Sequence, residues 1–195
     1  MNDNDITALK QQLVDCIRML EHQDIIDCQR SRLTVEDICT IDFQGQVSDG
    51  RGKPPLEFHL HAGLYRARPE VQAIVHAHPR WSTLLSMTGK PYLPVYAQGS
   101  LVYPVPVLDS PNSINNPAMA ARLAATLGDR PAALMKSHGA VTVGQTLREA
   151  FVLACYMEEN ALRQVQAMHI GTPYAFNDEE LRLCREKLWS EALFQ

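Results

Sequence analysis

Two histidines, His76 and His78, stand two residues apart in "AIVHAHPRW", after an apolar run and just before Pro79. On an extended strand that spacing sends both side chains to the same side. Neighbouring imidazoles suit a divalent metal. A third, His138 in "SHGAV", sits beside Gly139 at the mouth of a second apolar stretch. Three imidazoles meeting from strand ends and a loop would fill three positions around an ion. A fourth would stay open, the arrangement of catalytic rather than structural zinc. Imidazole also accepts iron, manganese and cobalt, so zinc is the first choice among several. An HxH alone occurs by chance in many chains, and sequence spacing does not bring His138 to the pair.

Glu57 opens the apolar helical pattern "LEFHLHAGLY". The first turn of a helix tolerates a carboxylate well. Between Leu56 and Phe58 it either faces solvent or has a raised pKa and moves protons. His61 follows four residues later on the same helical face. It is placed to hold Glu57 or to meet backbone at a strand edge. Trp81 and Tyr96 line either a pocket or simply the core. Other chemistries lack their motifs: there is no P-loop, no dinucleotide-binding glycine pattern and no GxSxG elbow.

The elements that must position these residues are legible in outline. Residues 6–22 have apolar positions at helical spacing. A strand is expected over Cys39–Phe43, then a turn at Gln44-Gly45. Helix is expected over Leu56–Ala67, strand over 71–78, and a short helix from Arg80 to Gly89. The proline-rich run 92–116 reads as short strands joined by tight loops. Residues 117–128 form a helix with Pro117 early and Gly128 past its end. "AALMKSHGAVTVG" (132–144) reads as strand, turn, strand. A helix of about two dozen residues follows, then a closing helix capped by Asn177.

At 195 residues and 46% apolar composition, the chain is long enough for one domain with a sizeable core. Net charge is −4, with acids and bases interspersed. No basic stripe marks nucleic acid or an anionic membrane as a partner. No run reaches the roughly 18 apolar residues of a membrane span. "MNDNDITALKQQ" lacks the regions of a signal peptide, and five scattered cysteines without a CxxC argue for reduced thiols. The expectation is a cytoplasmic protein acting on a small molecule.

Together, "LEFHLHAGLYRARPEVQAIVHAHP", "LMKSHGAVTVG" and "REAFVLACYMEENA" resemble the class II aldolase/adducin family, over roughly residues 34–175. The resemblance implies an α/β fold, three-layer α/β/α around a central, mostly antiparallel sheet. It implies a homotetramer with sites at subunit interfaces. It assigns the metal to His76, His78 and His138, and the acid/base role to Glu57. His61 matches the family's helical histidine.

Two departures shape the functional expectation. Sugar-phosphate members carry a Gly-Asn-rich loop after the first helix, and here "LEHQDIIDCQRS" runs almost directly into "RLTVEDICTIDF". The single domain therefore reads as shortened near its N-terminus. Members often have a Ser-Ser pair before the catalytic Glu, and here Pro55-Leu56 stands there. A phosphate dianion would lose donors. The expected function is a metal-dependent carbon–carbon lyase, leaning towards decarboxylation of a hydroxylated aromatic or keto acid. Pro55, Leu56, Trp81 and Tyr96 would form a rim for a flat ring. The ending "ALFQ" offers no aromatic-rich tail to close the site. The alternatives are an aldolase, epimerase or dehydratase acting on a sugar or sugar phosphate, or an impaired scaffold of the same fold.

Overall fold

The computed structural model describes residues 3–26 and 32–190. Cys28, the closing "ALFQ" and part of the segment expected to be shortened lie outside the described residues. Helix α1 (Asp3–His22) is followed by a small antiparallel hairpin, β1 (Thr40–Ile41) and β2 (Val47–Asp49). The single strand expected over Cys39–Phe43 is thus cut short. The chain turns at Gly45, whose φ of +82° an L side chain would resist.

The remaining elements are α2 (Phe58–Ala67), β3 (Ala73–Ala77), α3 (Arg80–Met87), β4 (Val107–Leu108), α4 (Pro117–Leu127), β5 (Ala132–Met135), β6 (Gly139–Gly144), α5 (Leu147–Ile170) and α6 (Asp178–Leu188). Their ends follow side-chain chemistry. Asn116 accepts from the Met119 N–H, Thr146 from the Glu149 N–H, and Asn177 forms a capping box with Glu180.

The main sheet has the order β3-β6-β5-β4. β3 pairs with β6 and β6 with β5 antiparallel, while β5 pairs with β4 parallel. Successive residues alternate between two cores. Ile74, Ala133, Met135, Val141 and Val143 pack with Leu60 and Leu64 of α2 and with Leu123 and Leu127 of α4. Ala132, Leu134 and Ala140 pack on the other face with Leu85 of α3 and Leu153 and Met157 of α5. Helices cover both faces, which explains why these strands are apolar almost throughout. The layering is α/β/α, as the resemblance implies. At Gly63 a Cβ would stand 2.6 Å from that of Ala120, so α2 and α4 approach closely there.

The run 92–116 departs from expectation. It holds a 3₁₀ turn over Ala97–Leu101 and only the two-residue β4. The reason is a different set of backbone partners. Asn160 Oδ1 accepts from Val95 N and Tyr96 N, and its Nδ2 donates to Leu93 O. Gln164 Oε1 accepts from Leu93 N, and its Nε2 donates to Pro91 O. Side chains of α5 satisfy groups that a neighbouring strand would otherwise take.

Candidate metal centre

Register brings the histidines together. In the β3–β6 pairing Ala77 lies opposite Ala140, so the C-terminal end of β3 meets the start of β6. His78 lies one residue past β3, and His138 lies in the turn between β5 and β6. Alternation turns His76, like Ile74, towards the α2 side of the sheet. Ring centroids are 5.2 Å apart for His76–His78, 5.5 Å for His76–His138 and 5.2 Å for His78–His138.

The "HG" spacing has a steric reason. A Cβ on Gly139 would fall 2.4 Å from Ala77 O and 2.9 Å from His78 Cδ2. Only glycine lets the start of β6 approach the Ala77 carbonyl and the His78 ring this closely.

Glu57 completes the group from α2. It is the N-cap residue of that helix rather than lying inside it, and its side chain caps nothing. Instead Oε2 lies 3.0 Å from His76 Nε2, and Oε1 lies 3.5 Å from His138 Nε2. Oε1 also accepts the Ile114 N–H at 2.7 Å. One ligand atom from each of Glu57, His76, His78 and His138 falls within 4.8 Å of the others.

The donor chemistry fits a divalent cation. His76 Nδ1 lies 3.0 Å from Ala140 O, and His138 Nδ1 lies 3.3 Å from Asn112 O. A carbonyl only accepts, so each Nδ1 carries the proton. Each Nε2 is then left either to donate to Glu57 or to offer a lone pair to a cation. The cluster is therefore able to coordinate a divalent ion, and imidazole with carboxylate does not select one metal.

The electrostatics correct one expectation. Glu57 is neither solvated nor raised in pKa. Burial works against its charge, but hydrogen bonds from His76 and the Ile114 N–H, with the nearby charges of His76 and His138, hold it at about 2. His61 falls to about 4 because it is desolvated and His76 adds repulsion, with Glu57 opposing. Among the described residues no hydrogen bond joins His61 to Glu57 or to the strand edge, and His76 and Glu57 reach it only electrostatically.

Glu57, His78 and His138 of the cluster line an open cleft of about 650 Å³. Trp81, Leu84 and Met87 of α3 and Pro111 make an apolar wall. Arg80, Ser113 and Ser137 add polar groups, and the Arg80 guanidinium stands 5.8 Å from the Trp81 ring. The expected rim is largely elsewhere. Tyr96 stacks on Arg163, 3.8 Å from its guanidinium carbon, and does not line the cleft. Pro55 and Leu56 are exposed and do not line it either. Only Trp81 of the four is in place.

Layering and site together define the class: an α/β/α protein with three imidazoles at the strand ends and one carboxylate beside them, a group able to coordinate a divalent cation. The family model for the class II aldolase and adducin N-terminal domain matches residues 26–165, and the chain belongs to that family. It is 29% identical over 164 residues to 5-methylthioribulose-1-phosphate/5-deoxyribulose-1-phosphate aldolase of Rhodospirillum rubrum, covering 82% of this chain and 72% of that protein. It is 32% identical over 132 residues to L-fuculose phosphate aldolase of Methanococcus vannielii, covering 66% and 69%. A solved L-fuculose 1-phosphate aldolase superposes with a TM-score of 0.83 at 24% identity, covering 96% of this chain and 98% of that one.

These findings overturn the leaning towards decarboxylase-like members. A 3,4-dihydroxyphthalate decarboxylase of Terrabacter sp. also matches, at 29% over 154 residues, covering 71% of this chain but only 62% of that protein. The stronger matches are to aldolases of sugar phosphates. The argument from Pro55-Leu56 fails because these residues lie outside the cleft, whereas Arg80, Ser113 and Ser137 line it with groups able to donate.

Among the described residues no helix is long and apolar enough to cross a membrane. Cys16, Cys39, Cys155 and Cys184 are free thiols.

Proposed function

We propose that the protein is a metal-dependent aldolase that cleaves a ketose phosphate. The observation that carries this reading is the meeting of the Glu57 carboxylate with three imidazoles, beside a cleft that Glu57, His78 and His138 line together with Arg80. In it His76, His78 and His138 hold the metal, zinc first, with iron, manganese or cobalt as alternatives. When bound, the cation would supply Lewis-acid stabilisation of negative charge on substrate oxygens.

The protein's own groups handle protons and orientation. Cleavage removes a proton from the departing hydroxyl and returns one to the carbon left behind. Among the described residues Glu57 is the one carboxylate lining the cleft, and it takes the acid/base role. It must first be released by His76, since Nε2 does not donate to Glu57 and offer a lone pair at once. The Ile114 N–H then keeps Oε1 oriented. Arg80 and the hydroxyls of Ser113 and Ser137 receive the phosphate. The apolar wall of Trp81, Leu84 and Met87 takes the far end of the sugar. A homotetramer acting within one family domain is part of this proposal, and light scattering reads it.

The test loads the protein separately with zinc, iron, manganese or cobalt and supplies L-fuculose 1-phosphate or 5-methylthioribulose 1-phosphate. The expected result is carbon–carbon cleavage that yields an aldehyde and is lost in Glu57→Gln. Loss of water without cleavage would make the protein a dehydratase, and no turnover with any metal would overturn an enzymatic reading.

A further inference from the structure

We propose that α3 is a strut that sets the distance between His78 and His138, and that Glu158 and Ser86 are the positioning residues that fasten its two ends. The inference rests on the metal-binding reading of those histidines.

At its start, α3 has no local cap. Its N-cap residue is Pro79, which has no side-chain acceptor, and the preceding residue is His78. The first N–H groups of a helix lack partners within it. They find one on α5, across the sheet face from Glu57. The Glu158 carboxylate accepts from Trp81 N at 2.6 Å, Ser82 N at 2.9 Å and Ser82 Oγ at 2.8 Å. Glu158 is only 7% exposed, and among the described residues no cation pairs with it. A buried carboxylate is costly to desolvate, and three donors at a helix N-terminus offset that cost. An apolar residue here would pack α3 on α5 but leave those N–H groups unpaired.

The other end of α3 is tied as well. Ser86 Oγ, likewise buried, donates to Thr83 O at 2.6 Å and accepts the Ser137 N–H at 2.9 Å. Ser137 has φ +56°, a left-handed conformation unfavourable for a serine, and it immediately precedes His138. One short helix is thus pinned just after one candidate ligand and to the residue just before another. His78 is the exposed member of the four, and the pinned start of α3 follows it directly in the chain.

The test is a competition titration of Co(II) against a chromophoric chelator, with the visible Co(II) spectrum recorded for each protein. Glu158→Gln and Ser86→Ala are compared with Val165→Ala, a core change on α5 remote from the cap, and with His78→Ala. We expect Glu158→Gln and Ser86→Ala each to weaken Co(II) binding by about tenfold or more and to alter the spectrum. Val165→Ala should bind as wild type even where its thermal midpoint in chelator is equally lowered. Should Glu158→Gln fail to fold, Glu158→Asp and Ser86→Ala carry the test. Binding unchanged in the strut variants, or weakened equally in Val165→Ala at a matched midpoint, would overturn the strut while His78→Ala still loses metal. Undiminished binding in His78→Ala would overturn the metal reading itself.

Discussion

Glu57 Oε2 and His76 Nε2 lie 3.0 Å apart, so the carboxylate rests on the nitrogen that would face a cation. His76 Nδ1 is already committed to Ala140 O, so Nε2 is the ring nitrogen left for either partner. With His76 as a ligand and Glu57 as the base, as proposed, metal binding and release of the base would be one event, because the same nitrogen serves both partners.

Glu57→Gln separates the two roles. The amide keeps an acceptor for the Ile114 N–H but no longer carries the proton. We expect metal content close to wild type and turnover lowered by about a hundredfold or more, the scale of general acid–base catalysis. Plasma mass spectrometry and the aldehyde assay read the two quantities. Turnover near wild type would remove Glu57 from the acid/base role.

Gly139→Ala tests the steric argument for "HG". The added methyl meets the Ala77 carbonyl at 2.4 Å, and backbone yields less readily than a side-chain tip. We expect a loss of about 1–3 kcal/mol of stability, the scale of overpacking, together with reduced metal content. Denaturant titration and elemental analysis check it. An alanine tolerated on both counts would mean that the strand ends separate easily.

The pH dependence of the metal-free protein follows from the carboxylate held at about 2 against an ordinary 4.5. A carboxylate lowered on folding stabilises the folded state fully above its unfolded value, and that stabilisation is lost as pH falls through the folded one. The advantage of wild type over Glu57→Gln should therefore be constant above about 4.5 and shrink from there towards 2. Thermal midpoints in chelator along that range measure it. A gap that stays constant would mean that Glu57 is not held by the histidines.

Arg80→Gln examines the cleft cation. Charge-assisted hydrogen bonds contribute about 1.5–3 kcal/mol, so KM for a ketose phosphate should rise roughly tenfold to a hundredfold. The kcat should change little, and the unphosphorylated sugar should be indifferent to the substitution. An equal effect on both sugars would assign Arg80 to packing over Trp81 instead of to phosphate.

Much of this was legible from local pattern. His76, His78, His138 and Glu57 stand out because ionisable groups interrupt apolar runs, and the helix caps at Asn116 and Asn177 are local chemistry. Their convergence was legible only through the family resemblance, since it depends on the β3–β6 register, which no spacing reveals. The irregular course of 91–96 escaped for a similar reason: its partners, Asn160 and Gln164, lie more than sixty residues away. Tyr96 misled because an aromatic near a site in sequence need not face it. Glu158 left a signal that could have been read. It falls within the buried stripe of Leu153, Ala154, Met157 and Ala161, where a carboxylate requires a reason.

The grip of α5 on residues 91–96 bears on where the chain tolerates change. Leu93, Val95 and Tyr96 contribute main-chain groups to it, and almost any residue except proline supplies those. Asn160 contributes an amide that both donates and accepts, and only that side-chain chemistry, at that length, satisfies all three of its partners. Substitutions should therefore accumulate at these three loop positions with little effect, while the helix position that shapes the loop stays fixed. Conformation here is specified from a distance, by a residue that the loop's own sequence does not disclose.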